Sequence, residues 1–226
     1  DVLDAQWLAW ISEFNQLESL AEFSLKATQN NIAAQHTGCT LEELRIRRNW
    51  RAFSVEEKKA YIDSVLCLQS LPSRTPNELA KGARPRYDDF VATHINQTNI
   101  IHRSGIFVAW HRYFIHEFEL ALQDECKYSG DYPRQPEEYM VLINTDWDWG
   151  ADADSIEISP VFNGSDTSLS GNGEYIPKQK GIRVPVGNYS PVFLPPGTGG
   201  GCVTGGPFKT TQSAWDHHTS QYQAMT

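Results

Sequence analysis

YDDFVATHINQTNIIHRSGIFVAWHRYFIHEFELALQDE, residues 87–125, carries four of the seven histidines in the chain. His94, His102 and His111 lie eight and nine residues apart, and His116 follows. Three neutral imidazoles converging on one point form a transition-metal site. A single helix cannot bring them together, because such spacings separate the residues by roughly 12–14 Å along the axis. A metal requires each nitrogen within roughly 2.1 Å. The polar run Asn96-Gln97-Thr98-Asn99 and Gly105 resolve the conflict by splitting the stretch. One helix is predicted over about 87–97 with His94 near its end. His102 falls on the connection, and His111 starts a second helix over about 107–125. His116 lies about 140° round that helix from His111 and points elsewhere.

The same reading extends outward. Trp7, Leu8, Ile11, Phe14, Leu17 and Ala21 recur at helical spacing over 5–24. Thr40-Leu-Glu-Glu43 and Ser54-Val-Glu-Glu57 have the form of capping boxes. The second opens a helix carrying Ala60, Tyr61, Val65 and Leu66, which Pro72 closes. Residues 73–86 read as loop. Asp88 and Asp89 read as exposed acids, and Arg45, Arg47, Arg48 and Arg51 as a solvated helix face. Beyond Tyr128, Gly, Pro, Ser and Asn dominate 129–207, where only short strands are expected. That half has too few apolar runs for a core of its own. The expectation is one domain over 1–226, helical over 1–128, loop-rich over 129–209, with a tail at 210–226.

With 28 acidic and 19 basic residues the net charge is −9. This argues against binding nucleic acid through a basic face. No run of 18 apolar residues is long enough to cross a membrane. Cys39, Cys67, Cys126 and Cys202 allow three pairings, and none forms a CxxC. Sequons begin at Asn96, Asn163 and Asn188, the candidate glycosylation sites. Together with the even cysteine count they point towards secretion.

The residues flanking the histidines carry a resemblance. Asp88-Asp-Phe-Val-Ala-Thr-His94, Ile101-His102, Phe107-Val-Ala-Trp110-His111-Arg112-Tyr-Phe114 and Glu119 resemble the first copper-binding half of the tyrosinase and catechol oxidase family, the type-3 copper proteins. The likeness is strongest to short fungal members. It extends over about 1–209 and includes Arg47-Arg-Asn-Trp-Arg51, Tyr61–Leu68, Asp124-Glu-Cys126, Trp147-Asp-Trp149 and Leu194-Pro-Pro-Gly-Thr-Gly-Gly-Gly-Cys202. The fold it implies is mainly α, a helical bundle of the tyrosinase type wrapped by long irregular loops. It further implies that His94, His102 and His111 bind the first copper, that Phe107 and Trp110 pack around them, and that Arg112 and Glu119 anchor the helices. In the complete family two coppers bind dioxygen between them and oxidise ortho-diphenols, in some members monophenols, to quinones. The implied partners are a small phenol and dioxygen.

Two departures qualify that implication. No His-x-x-x-His occurs anywhere in the chain, although the second copper site would need one. The stretch Asp131–Asp146 also separates Gly130 from Trp147 more widely than the family pattern does. The expectation is therefore an incomplete or truncated oxidase with one copper and without the second-copper helices. A retained intron, a fragment of a longer enzyme and a genuine loss of the second site would each account for it. An inactive remnant, a mononuclear metal protein and a dioxygen-binding protein are the alternative functions.

Overall fold

The computed structural model describes residues 19, 23–34, 47–102, 104–130, 132–133, 152–187 and 189–209. Chain contacts divide it into two units, 1–46 and 47–226. In the first, residues 23–34 form helix α1. Most of the amphipathic stretch 5–24, the Thr40 capping box and the Trp147-Asp-Trp149 motif lie outside the described residues.

Among its described residues the second unit has three α-helices: α2 (Val55–Ser70), α3 (Arg86–Ile101) and α4 (Phe107–Cys126). Two small sheets accompany them there. β1 (Arg47–Arg48) pairs in parallel with β2 (Tyr132–Pro133), and β3 (Ile182–Val186) pairs antiparallel with β4 (Tyr189–Leu194).

Helix α2 starts where its capping box predicts. The Ser54 hydroxyl accepts from the Glu57 N–H while the Glu57 carboxylate accepts from the Ser54 N–H. Two otherwise orphaned donors are thereby satisfied. Tyr61, Ile62, Val65 and Leu68 on its inner side pack with Ala121 and Leu122 of α4. The fully buried Trp50 meets Tyr61 edge-on, and Tyr61 meets Tyr128 in the same way. The Trp50 indole N–H donates to the Thr167 carbonyl at 3.1 Å. Val161, Leu169 and Phe208 pack on the same cluster. The loop-rich half thus covers the helical core.

Helix α3 runs four residues past its predicted end. The Asn96–Asn99 run does not break it, because Thr98 returns its hydroxyl to the His94 carbonyl at 2.7 Å and Ile101 is fully buried in the last turn. Tertiary burial overrides weak local propensity here.

Its first turn corrects a second expectation, since Asp88 and Asp89 are 1% and 5% exposed. Asp88 accepts from the Arg84 N–H. Asp89 accepts from the Ser73 hydroxyl and from the N–H groups of Arg74 and Thr75 at 2.8 and 3.0 Å, and it pairs with Arg86. The two carboxylates fasten loop 73–85 to the positive end of α3. Burial disfavours the charged form of Asp89, but the hydrogen bonds from Ser73, Thr75 and Arg74 outweigh it and lower its pKa from 3.8 to about 2. A carboxyl depressed in the folded state stabilises the fold above its unfolded pKa. That contribution, at most about 2 kcal/mol, is fully present above about pH 4 and is lost as pH falls through about 2. Asp89→Asn should remove it, giving lower stability at pH 7 and a flatter acid limb. Urea titrations at pH 7 and pH 3 measure both, and an unchanged pH 7 midpoint would refute the assignment.

Arg45 lies outside the described residues, and Arg47, Arg48 and Arg51 do not line one helix face. Arg47 and Arg48 are extended in β1, and a buried carboxylate holds Arg47 and another holds Arg51. Arg47 makes a two-pronged pair with Glu119 of α4, Nε to Oε1 at 2.7 Å and Nη2 to Oε2 at 2.9 Å. Arg51 pairs with the buried Asp152. The Cys67–Cys126 disulfide joins the ends of α2 and α4, and Cys202 is free and exposed.

Candidate metal centre

His94 lies in the middle of α3, His102 is the residue that caps it, and His111 occupies the second turn of α4. Continuation of α3 to Ile101 brings His102 to the point where the chain turns back. His94 is therefore a mid-helix ligand candidate, not a terminal one as its spacing suggested. One ring nitrogen from each histidine lies within 4.8 Å of the others, and these three form the only such cluster among the described residues. His111 is buried and the other two are half-buried.

Main-chain carbonyls set the orientation of the His102 and His111 rings. His102 Nδ1 lies 2.9 Å from the Thr98 carbonyl, and His111 Nδ1 lies 2.7 Å from the Phe107 carbonyl. A carbonyl only accepts, so both Nδ1 atoms carry the proton and both Nε2 atoms present lone pairs. This is the second-sphere arrangement that metal-bound histidines adopt. His94 Nε2 stands 3.3 Å from His111 Nε2. Two imidazole nitrogens at that separation require a proton or a cation between or beside them. The donor set, three imidazoles with no carboxylate or thiolate in the cluster, suits copper or zinc and not a hard cation.

Aromatic rings enclose the cluster. Phe107 lies 4.4 Å from the His111 ring and 5.6 Å from the His102 ring, centroid to centroid. Trp110 lies 5.0 Å from His111 and 6.0 Å from His94. Phe114 also reaches His94, at 6.0 Å, and stacks on Trp110 at 4.8 Å. Sequence reasoning missed Phe114, although the i, i+4 spacing from Trp110 was visible and places both on one helix face. His116 is exposed and stands apart from the cluster.

The two residues expected to anchor helices differ. Glu119 is 6% exposed and bound by Arg47 as described. Arg112 is exposed and forms no ion pair among the described residues, because its position on α4 faces outward. Arg47→Met should therefore strand a buried charge on the helix that carries His111. The expected cost is about 3 kcal/mol, read as a lower denaturation midpoint. A shift below about 0.5 kcal/mol would show the pair to be a solvated contact. Of the sequon asparagines, Asn96 is exposed on α3. Asn163 is exposed on a turn where its side chain accepts from the Ser165 N–H at 3.0 Å. Asn188 is outside the described residues.

A family model described as the common central domain of tyrosinase matches residues 84–225. That span runs beyond residue 209, into the tail for which the sequence offered no family counterpart. A tyrosinase-like protein of Emericella nidulans is 45% identical over 175 residues, covering 75% of this chain and 44% of that protein. The N-acetyl-6-hydroxytryptophan oxidase of the same fungus is 41% identical over 199 residues, covering 85% of this chain and 49% of that one. A solved polyphenol oxidase from Thermothelomyces thermophila superposes with a TM-score of 0.72 at 42% identity, over 86% of this chain and 49% of that one. The chain spans about half the length of these relatives.

Proposed function

The chain belongs to the tyrosinase family, and from that premise we propose that it supplies the first copper site of an oxidase acting on phenols. The observation that carries the proposal is the convergence of His94, His102 and His111 with Nδ1 of the last two committed to main-chain carbonyls. These three residues would hold one copper. When bound, copper supplies one-electron exchange with dioxygen, which closed-shell phenols lack by themselves. The protein contributes orientation and exclusion. The carbonyls of Thr98 and Phe107 hold the Nδ1 protons and keep each Nε2 free for the metal. Phe107, Trp110 and Phe114 limit water around the site and offer ring faces to an aromatic substrate.

Small ortho-diphenols are the proposed substrate class. Support comes from the family and from the kinds of oxidase named among the relatives. Secretion is proposed on the disulfide between Cys67 and Cys126 and on the sequons. Among the described residues no helix is long and apolar enough to cross a membrane.

Copper content decides the reading. The chain is loaded with copper, freed of loose metal, analysed for copper per polypeptide and then offered an ortho-diphenol with dioxygen. One copper and no turnover is the expected result, because the chain contains no His-x-x-x-His for a second site. No bound copper would overturn the proposal. Two coppers with turnover would replace it with a complete two-copper oxidase.

A further inference from the structure

Asn96 lies two residues after His94, about 200° round α3, and so faces away from the histidine cluster. It borders a trough of about 550 Å³ between α3 and the loop before it. Pro76, Leu79 and Ala80 line the loop side, and Ala92, Asn96 and Gln97 line the helix side. Leu79 is 79% exposed there, whereas Ala80 and Ala92 are buried. The loop side is shaped by its own turn, in which the N–H groups of Leu79 and Ala80 both donate to the Pro76 carbonyl, at 2.9 and 3.2 Å. The charged groups around the trough are spent on one another. Arg74 and Arg86 both pair with Glu125, and Asp89 takes Arg86, the Ser73 hydroxyl and two main-chain N–H groups. The trough therefore suits a neutral occupant with one apolar face and several hydrogen-bonding groups, not an ion.

We propose that Asn96 carries an N-linked glycan whose first sugars lie in this trough and cover Leu79. Asn96-Gln97-Thr98 is a complete sequon. An N-acetylhexosamine has the mixed character the trough asks for, a ring face of C–H groups with hydroxyl and amide groups round its edge. The covalent step forms a bond from Asn96 Nδ2 to the anomeric carbon of a lipid-linked oligosaccharide. The bond from that carbon to the lipid pyrophosphate breaks, and the amide proton leaves with the pyrophosphate. In the fold the Thr98 hydroxyl is given to the His94 carbonyl at 2.7 Å, so the transfer precedes formation of α3. The inference rests on the secretion reading and is independent of copper. Attached to the helix and resting on the loop, the glycan holds loop 73–85 against α3 alongside the hydrogen bonds of Asp89.

The full chain is produced behind a secretion leader in a fungal host. Mass spectrometry of its peptides reads the occupancy of Asn96 and of Asn163, the exposed sequon on a separate turn. Hydrogen exchange reads the protection factors of the Leu79 and Ala80 amides in wild type, Asn96→Gln, Leu79→Ser and the double variant. A glycan free in solvent would hinder a protease but not water, so exchange reports seating and not bulk. Asn96 is expected to be occupied, with protection about tenfold higher in wild type than in Asn96→Gln, the effect of partly covering one exposed leucine. Leu79→Ser should match Asn96→Gln, and the double variant should go no further. Chain made in bacterial cells without N-glycosylation should show no difference between wild type and Asn96→Gln; a difference there would assign the effect to the amide side chain and overturn the inference. An empty Asn96 beside an occupied Asn163 would also overturn it, as would equal protection in wild type and Asn96→Gln from the fungal host or an additive loss in the double variant. If neither asparagine is occupied, the inference falls and the secretion reading loses the support of its sequons.

Discussion

His111→Ala should abolish copper binding, with a loss well beyond the about 10- to 100-fold that follows removal of a supporting residue. His111 is the buried member of the cluster. Its Nδ1 is fixed by the Phe107 carbonyl, and its Nε2 is the atom that approaches His94 within 3.3 Å. Without it two half-buried imidazoles remain, too few to hold a metal against solvent and buffer. Metal that binds only the folded state raises its stability by mass action. Copper should therefore raise the melting temperature of the wild type and leave that of His111→Ala unchanged. His116→Ala, altering an exposed histidine on the same helix, serves as the control and should match wild type. Retention of one tightly held copper by His111→Ala would end the three-histidine assignment.

Removing the Cys67–Cys126 bridge should cost about 4 kcal/mol, the loop-closure value for a separation of 59 residues. For a chain of this size that corresponds to a fall of about 10 °C in melting temperature. The closed loop contains α3, the passage into α4 and all three histidines. The paired variant Cys67→Ala, Cys126→Ala should accordingly lose stability and also shift copper binding to a narrower temperature range. Comparison of urea midpoints for this variant and the wild type measures the effect. Equal midpoints would mean that packing of α2 on α4 already restricts the unfolded chain.

The legible parts of the fold were those written in local chemistry. The Ser54 box announced α2 because its two partners are three residues apart. The start of α4 was fixed by Gly105 and the apolar run after it. The trio His94, His102 and His111 was legible from the residues that flank it, since the spacing by itself left the reading open, and the structure brings the three rings together. Where tertiary contacts decide, the sequence misled. Asn96–Asn99 looks like a stop, but burial of Ile101 carries the helix on. Asp88 and Asp89 look like surface acids, since the donors they bind lie up to 16 residues away in the loop before them. Arg47 and Glu119 are 72 residues apart, so no local pattern could announce their pairing. Phe114 was hidden differently, as an ordinary apolar residue whose neighbour across the interface is visible only when two helices meet.

The short passage between His102 and Phe107 also makes the site more sensitive to chain length than to residue identity. Arg47 grips α4 at Glu119 and the disulfide fastens it at Cys126, so the helix and His111 with it cannot turn to absorb a change in the passage. Each residue lost there shortens the chain that must join His102 to a fixed helix by roughly 3.5 Å. A single deletion would thus pull His102 away from His94 and His111 without altering any of the three histidines. Among homologues that keep the three histidines, this passage should vary in composition and hold its residue count constant.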